Sequence, residues 1–140
     1  VEVAVAMLHR QGQWLVQLRD DIEGIVAPGC WGLFGGHLEP TESPEEGLRR
    51  ELNEELGLKA RELTPWFLHQ TSQRCLHVFV GPLPVPIEDL HLQEGQDLTL
   101  ASLEQLAEGS AYSPRLQEAR PLAPSLQLVL KRSHQLKELT

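Results

Sequence analysis

Residues 36–58 read GHLEPTESPEEGLRRELNEELGL, and this stretch decides the fold. Ser43, Pro44 and Glu46 occupy the N-cap, N1 and N3 positions of a capping box, in which side chain and backbone satisfy each other's free amides. Gly57 follows Leu56 and suits the left-handed C′ position that closes a helix. The signals predict a helix over 44–56. At about 100° per residue, with Glu51 at 0°, Glu54 falls near −60° and Glu55 near +40°. Leu48, Leu52 and Leu56 fall between about 60° and 140° on the same wheel. The helix therefore has a leucine stripe for a core, a polar face, and a carboxylate cluster beside the stripe. Gly47 lies one turn before Glu51 in that cluster's sector and leaves space there.

The cluster is costly as structure. Glu51 and Glu55 are like charges at i,i+4, worth a few tenths of a kcal/mol against the helix. All three glutamates sit in the C-terminal half, where the helix dipole opposes negative charge. A bound cation compensates both effects, and oxygen-only ligands favour Mg²⁺ or Mn²⁺ over Zn²⁺. A solvated acidic face is the alternative reading. The preceding loop weighs against it. Gly35-Gly36 after a short apolar run indicates close approach of backbone to another group. Glu42, eight residues before Arg50, is placed to pin the loop to the helix by an ion pair.

Working outward, 1–8 (VEVAVAML) and 14–19 read as strands around a turn at His9–Gly12, a hairpin. Residues 20–30 form a loop, and 31–34 a short strand running into the glycines. Strands are expected at about 62–70 and 74–80, with Pro65 marking an edge or a bulge. Pro82, Pro84 and Pro86 make 81–87 a loop. Residues 93–99 lead into another strand, 102–107 form a short helix capped by Ser102, 109–124 are turn-rich, and 125–139 read as one closing helix.

The chain has 140 residues, enough for a single domain over 1–140 with its own core. It carries 12 basic against 20 acidic residues, a net −8. Without a row of Lys and Arg, binding to a nucleic-acid polymer or an anionic membrane is disfavoured. Cys30 and Cys75 make no CxxC pair, so neither a disulfide framework nor a zinc ribbon is expected, and a reduced cytoplasmic setting fits. No apolar run is long enough to span a membrane, and no basic-then-apolar leader opens the sequence.

Gly36 to Leu58 closely resembles the box that defines the Nudix hydrolases of MutT-like type, G-x5-E-x7-R-E-U-x-E-E-x-G-U with U a bulky aliphatic residue. Gly36, Glu42, Arg50, Glu51, Leu52, Glu54, Glu55, Gly57 and Leu58 fill every fixed position. The resemblance implies an α/β fold, an α/β/α sandwich with a mixed β-sheet and the box as loop–helix–loop. It implies Mg²⁺-dependent hydrolysis, with Mn²⁺ as substitute, of a nucleoside diphosphate linked to another group. Glu51, Glu54 and Glu55 become metal ligands, the Gly35 carbonyl a further ligand, and Arg50 with Glu42 the orienting pair. The general base is left open among Glu54, Glu55 and Glu94. Glu94 resembles, by its place in the loop before the last strand of the sheet, a metal-binding glutamate of MutT-like members.

Substrate markers outside the box are missing. The coenzyme A and NADH signatures are absent. Gln73 and Arg74 stand where the ADP-ribose type carries proline, and Cys75 where the dinucleoside polyphosphate type carries tyrosine. These absences lean toward a nucleoside triphosphate pyrophosphatase acting on a nucleotide-type small molecule; a homodimer is left open. A non-catalytic Nudix-fold domain that binds nucleotide or protein is the rival, as is isopentenyl diphosphate isomerase, and the intact box argues against both. Trp31 and Phe34 are candidates for base stacking or for core. His37, His69 and His77 read as surface or packing residues, Cys75 as core, and Arg19 with Asp20 as neighbours of the glycine loop.

Overall fold

The computed structural model describes residues 1–140. Strands β1 (Glu2–Arg10) and β2 (Gln13–Leu18) form the expected hairpin, and β3 (Trp31–Gly32) and β4 (Phe34–His37) follow the loop. Helix α1 (Pro44–Leu56) has the predicted bounds. Then come β5 (Thr64–Gln70), β6 (Cys75–Pro82), β7 (Asp97–Ala101) and α2 (Leu103–Ala107). A small hairpin, β8 (Ser110–Ser113) and β9 (Glu118–Pro121), precedes α3 (Pro124–Leu130) and α4 (Leu136–Leu139).

The main sheet runs β3-β2-β1-β6-β5, with β4 on β1 and β7 on β2. Strand β1 pairs in parallel with β6 and antiparallel with β2 and β4, so the sheet is mixed. Alternation along the strands splits the core in two. Ala4, Ala6, Leu8, Leu15, Phe34 and Phe79 face Leu48, Leu52 and Leu56 of α1. Val3, Val5, Met7, Val16, Val78 and Val80 face Leu106, Leu126, Val129 and Leu136 of the other helices. This is the α/β/α sandwich, and the leucine stripe of α1 is its buried face. Strand β5 is the edge, with a register break between Pro65 and Phe67 where proline removes a ladder donor.

Four expectations need correction. The closing helix over 125–139 is broken: α3 stops at Leu130, and a 3₁₀ turn at Ser133–Gln135 leads into α4. Tertiary contacts hold the break, since Arg132 stacks 4.3 Å over the Phe67 ring and Trp66 Nε1 donates to Gln135 Oε1 at 2.8 Å. The turn-rich stretch contains the β8–β9 hairpin, joined to the core by Trp31 Nε1 donating to the Ala111 carbonyl at 2.8 Å. Trp31 and Phe34 are both buried, so neither ring is free to stack a base. Cys75 is only half-buried, at the sheet margin rather than in the core.

Candidate active site

Helix α1 is fixed at both ends. Ser43 Oγ accepts from the Glu46 amide and Glu46 Oε1 from the Ser43 amide, each at 3.2 Å. Gly57, at φ 66°, donates to the carbonyls of Asn53 and Leu52. Arg50 then ties the loop to the helix. Its Nε and Nη2 donate to the two oxygens of Glu42 at 2.7 and 2.9 Å, a bidentate fork. Its Nη1 donates to Glu51 Oε1 at 3.1 Å and Glu54 Oε2 at 3.2 Å, and its Nη2 also reaches the His37 carbonyl at 3.2 Å. The Arg50 guanidinium holds the Glu42 carboxyl down at about 2, and Glu42 raises Arg50 in turn. Gly47 makes room for this tie rather than for the cluster: a Cβ there would strike Leu38 and come within 3.1 Å of Glu42 Oε1.

The glycines admit the carboxylates. Gly35 has φ 147°, and a Cβ on it would collide with the Ala4 carbonyl oxygen of the paired strand β1. A Cβ on Gly36 would lie 2.7–2.9 Å from the Glu51 carboxylate atoms. Gly95, at φ 95°, lets the 91–96 loop pass close to the Leu18 carbonyl. That loop is pinned by the Gln93 amide on the Glu55 carbonyl and by Gln17 Nε2 on the Glu94 carbonyl, both at 2.9 Å.

Glu51, Glu55, Glu94, Gly35 and Gly36 accordingly line one cleft of about 480 Å³. Glu55 lies nearest the leucine stripe and is 6% exposed. Its Oε2 is buried without a hydrogen-bond partner. Burial first, then the charges of Glu51 and Glu94, push its carboxyl up to about 8, with the Gly35 backbone opposing. Glu54, on the far side of Glu51, is exposed at 58% and does not line the cleft; Arg50 alone links it to the cluster. The box residues Leu52 and Leu58 are core.

The cleft continues away from the carboxylates to Arg19, Asp20, Ile22, Ile25 and Val26 on one side and Arg74 and Ser125 on the other. Arg19 donates to the Val26 carbonyl at 2.6 Å, and Arg120 bridges the loop's Asp21 at 3.2 Å. The Arg74 guanidinium lines the cleft without an ion pair or hydrogen bond of its own. Of these residues, the sequence pointed only to Arg19 and Asp20. The others come from segments far apart in the chain and share no periodic signal.

A buried, unpartnered carboxylate oxygen beside two more carboxylates is relieved either by a proton, as the raised Glu55 value shows, or by a cation sharing the space. The donors are all oxygens, and Gly36 keeps open the space that a Cβ would fill. The set fits a hard divalent ion such as Mg²⁺.

A mixed sandwich presenting helix-borne carboxylates beside a glycine strand defines a metal-assisted class of site. The NUDIX domain family model matches residues 1–124, and the chain belongs to the Nudix hydrolase family, MutT-like in fold. The nucleoside triphosphatase NudI of Escherichia coli O1:K1 / APEC is 42% identical over 66 residues, 46% of this chain and 46% of that protein. The match thus spans about half the length of that curated relative. The solution structure of the E. coli ORF135 protein is 30% identical, with a TM-score of 0.68 over 97% of this chain and 89% of that one. A MutT Nudix hydrolase from Burkholderia pseudomallei, at 20% identity, shares the fold with a TM-score of 0.70 over 93% of this chain and 95% of that one.

Proposed function

We propose that residues 1–140 act as one Nudix domain that hydrolyses, with Mg²⁺, a diphosphate bond in a nucleoside diphosphate linked to another group. The favoured substrate is a nucleoside triphosphate, cleaved as by a pyrophosphatase. The observation that carries this is the buried Glu55 carboxylate with an orphan oxygen, lining one cleft with Glu51, one turn before it on α1, and with Glu94. The NudI relatives, nucleoside triphosphatases by name, agree with it.

Glu51, Glu55 and Glu94, with the Gly35 carbonyl and Glu54 swung inward, would hold the ion. When bound, Mg²⁺ supplies charge neutralisation of the phosphate oxygens, acidification of water and alignment for in-line attack. Arg50 keeps Glu51 and Glu54 oriented, and Glu42 fixes Arg50. Glu94 has no hydrogen bond on its carboxylate and sits on a pinned loop, so it is positioned to take a proton from the attacking water. Glu54 or Glu55 takes that part if Glu94 is fully engaged in holding the ion. Arg74 and Arg19 offset an acidic chain where polyphosphate must enter. Two cysteines without a disulfide suit a reducing, cytoplasmic setting. No helix is long and apolar enough to cross a membrane.

The test is phosphate and pyrophosphate release over a panel of nucleoside triphosphates, ADP-ribose and dinucleoside polyphosphates, with and without Mg²⁺. Metal-dependent release from triphosphates supports the reading. Binding of nucleotide with no turnover on any panel member would favour a non-catalytic Nudix domain instead.

A further inference from the structure

The parallel pairing of β1 with β6 sets Glu2 opposite Cys75. Two residues along β6, on the same face, stands His77. Leu76 between them faces the other way with Val3 and Val5, so the trio shares the α1-side face of the sheet with Ala4 and Phe79 and is not among the residues lining the active-site cleft. His77 Nε2 is 2.9 Å from Glu2 Oε1 and 3.8 Å from Cys75 Sγ. The ligand atoms of all three residues fall within 4.8 Å of one another.

One ordinary explanation fails. A Cys–His–carboxylate relay needs the carboxylate on the imidazole nitrogen remote from sulfur. Here the same Nε2 meets both partners, so the groups converge on one point rather than form a chain. Convergence of one sulfur, one nitrogen and one oxygen is what a tetrahedral metal requires. Bonds of about 2.0–2.3 Å would place neighbouring ligand atoms about 3.3–3.6 Å apart, so the present separations of 2.9 and 3.8 Å, with all three atoms within 4.8 Å, call for small side-chain shifts to admit an ion.

We propose that Glu2, Cys75 and His77 form a second metal site, for a thiophilic divalent ion of the Zn²⁺ type, with a fourth position open to solvent. It is separate from the oxygen-only cluster on α1 and selects a different class of ion, because thiolate and imidazole favour Zn²⁺ over Mg²⁺. The backbone is already set: the Cys75 amide donates to the Val1 carbonyl at 2.8 Å, and the Leu38 amide to the Glu2 carbonyl at 2.9 Å. Only side-chain rotamers need adjust. An ion there would clamp the start of β1 to β6.

Co²⁺ is the probe, because a thiolate ligand gives it a near-ultraviolet charge-transfer band and tetrahedral geometry gives it strong visible bands. Chelator-stripped full chain, titrated with Co²⁺, is expected to develop both and to lose them when one equivalent of Zn²⁺ is added. A large excess of Mg²⁺ should leave them in place. Cys75→Ser should abolish the charge-transfer band and weaken Zn²⁺ binding at least tenfold, and His77→Ala should weaken it similarly. Cys30→Ser should keep the band. Circular dichroism confirms that each variant is folded, and Cys75→Ser replaces one atom at a half-buried site. No sulfur band in the wild type, or a band that survives Cys75→Ser, overturns the proposal. So does a band that disappears only in Cys30→Ser. The readout is independent of hydrolysis, so it stands or falls apart from the reading of the α1 cluster.

Discussion

Replacing Glu55 by Gln should make the metal-free protein more stable while removing its activity. Glu55 carries a carboxyl pushed from 4.5 up to about 8 by burial and by Glu51 and Glu94. A raised folded-state value means that the folded protein holds a proton which the unfolded chain releases. The associated stability is fully present below pH 4.5 and is lost as pH rises through about 8. At pH 7 the loss spans about 2.5 pH units, on the order of 3 kcal/mol. Gln cannot ionise and escapes that loss. Its amide keeps an unpartnered buried atom, which costs about 1–2 kcal/mol. The balance is a gain of about 1–2 kcal/mol, or about 3–8 °C in melting temperature for a chain of this size. Thermal melts in chelator at pH 5 and pH 8 provide the assay. The variant should melt at or slightly below wild type at pH 5 and above it by pH 8, because only the wild type loses stability over that interval. Mg²⁺ should raise the wild-type melting temperature with a shift that grows with concentration, and raise the variant's much less. A variant that melts below wild type at both pH values, or whose Mg²⁺ response is unchanged, would refute this account of Glu55.

Three further outcomes are expected. Gly36→Ala places its Cβ against the Glu51 carboxylate; that flexible end can yield, so activity should fall at least tenfold with melting changed by only about 1 kcal/mol or less, while a large loss of fold would show that the clash is with backbone. Arg50→Lys loses the fork on Glu42, whose carboxyl is held at about 2; the stability that Glu42 contributes above its unfolded value near 4.5, and that is lost as pH falls toward 2, should shrink, and acid unfolding should move to higher pH, with an unshifted acid transition counting against the pair. Glu94→Gln should lower kcat by about 10²-fold or more if Glu94 is the base; unchanged metal affinity with a lost acidic limb in the pH–rate profile marks the base, weakened Mg²⁺ affinity marks a ligand, and unchanged turnover returns the base to Glu54 or Glu55.

The sequence by itself determined α1 to the residue. Its cap, its closing glycine and its leucine stripe are local signals within one segment, and Ser43, Gly57 and Leu52 sit where they require. It also ordered the three glutamates, because the 100° step of a helix puts Glu55 beside the stripe and Glu54 away from it. Local pattern located β1, β2, β5, β6 and β7, though not β8, β9 or the glycine-bearing β4, and Pro65 marked the edge strand and its break. What the tertiary structure decided are matters of partners distant in the chain. Trp31 became core because the β8–β9 hairpin supplies Ala111 as its acceptor. The closing helix broke where Phe67 and Trp66 hold Arg132 and Gln135. The burial that lifts Glu55 depends on the sheet behind α1 and on Glu94 from a loop some forty residues later. The wall of Arg74, Ser125 and Val26, and the meeting of Glu2 with Cys75 and His77, depend on which strands pair and in what register. Register is fixed by the burial of whole faces rather than by any single segment, so these placements follow from the assembled sheet.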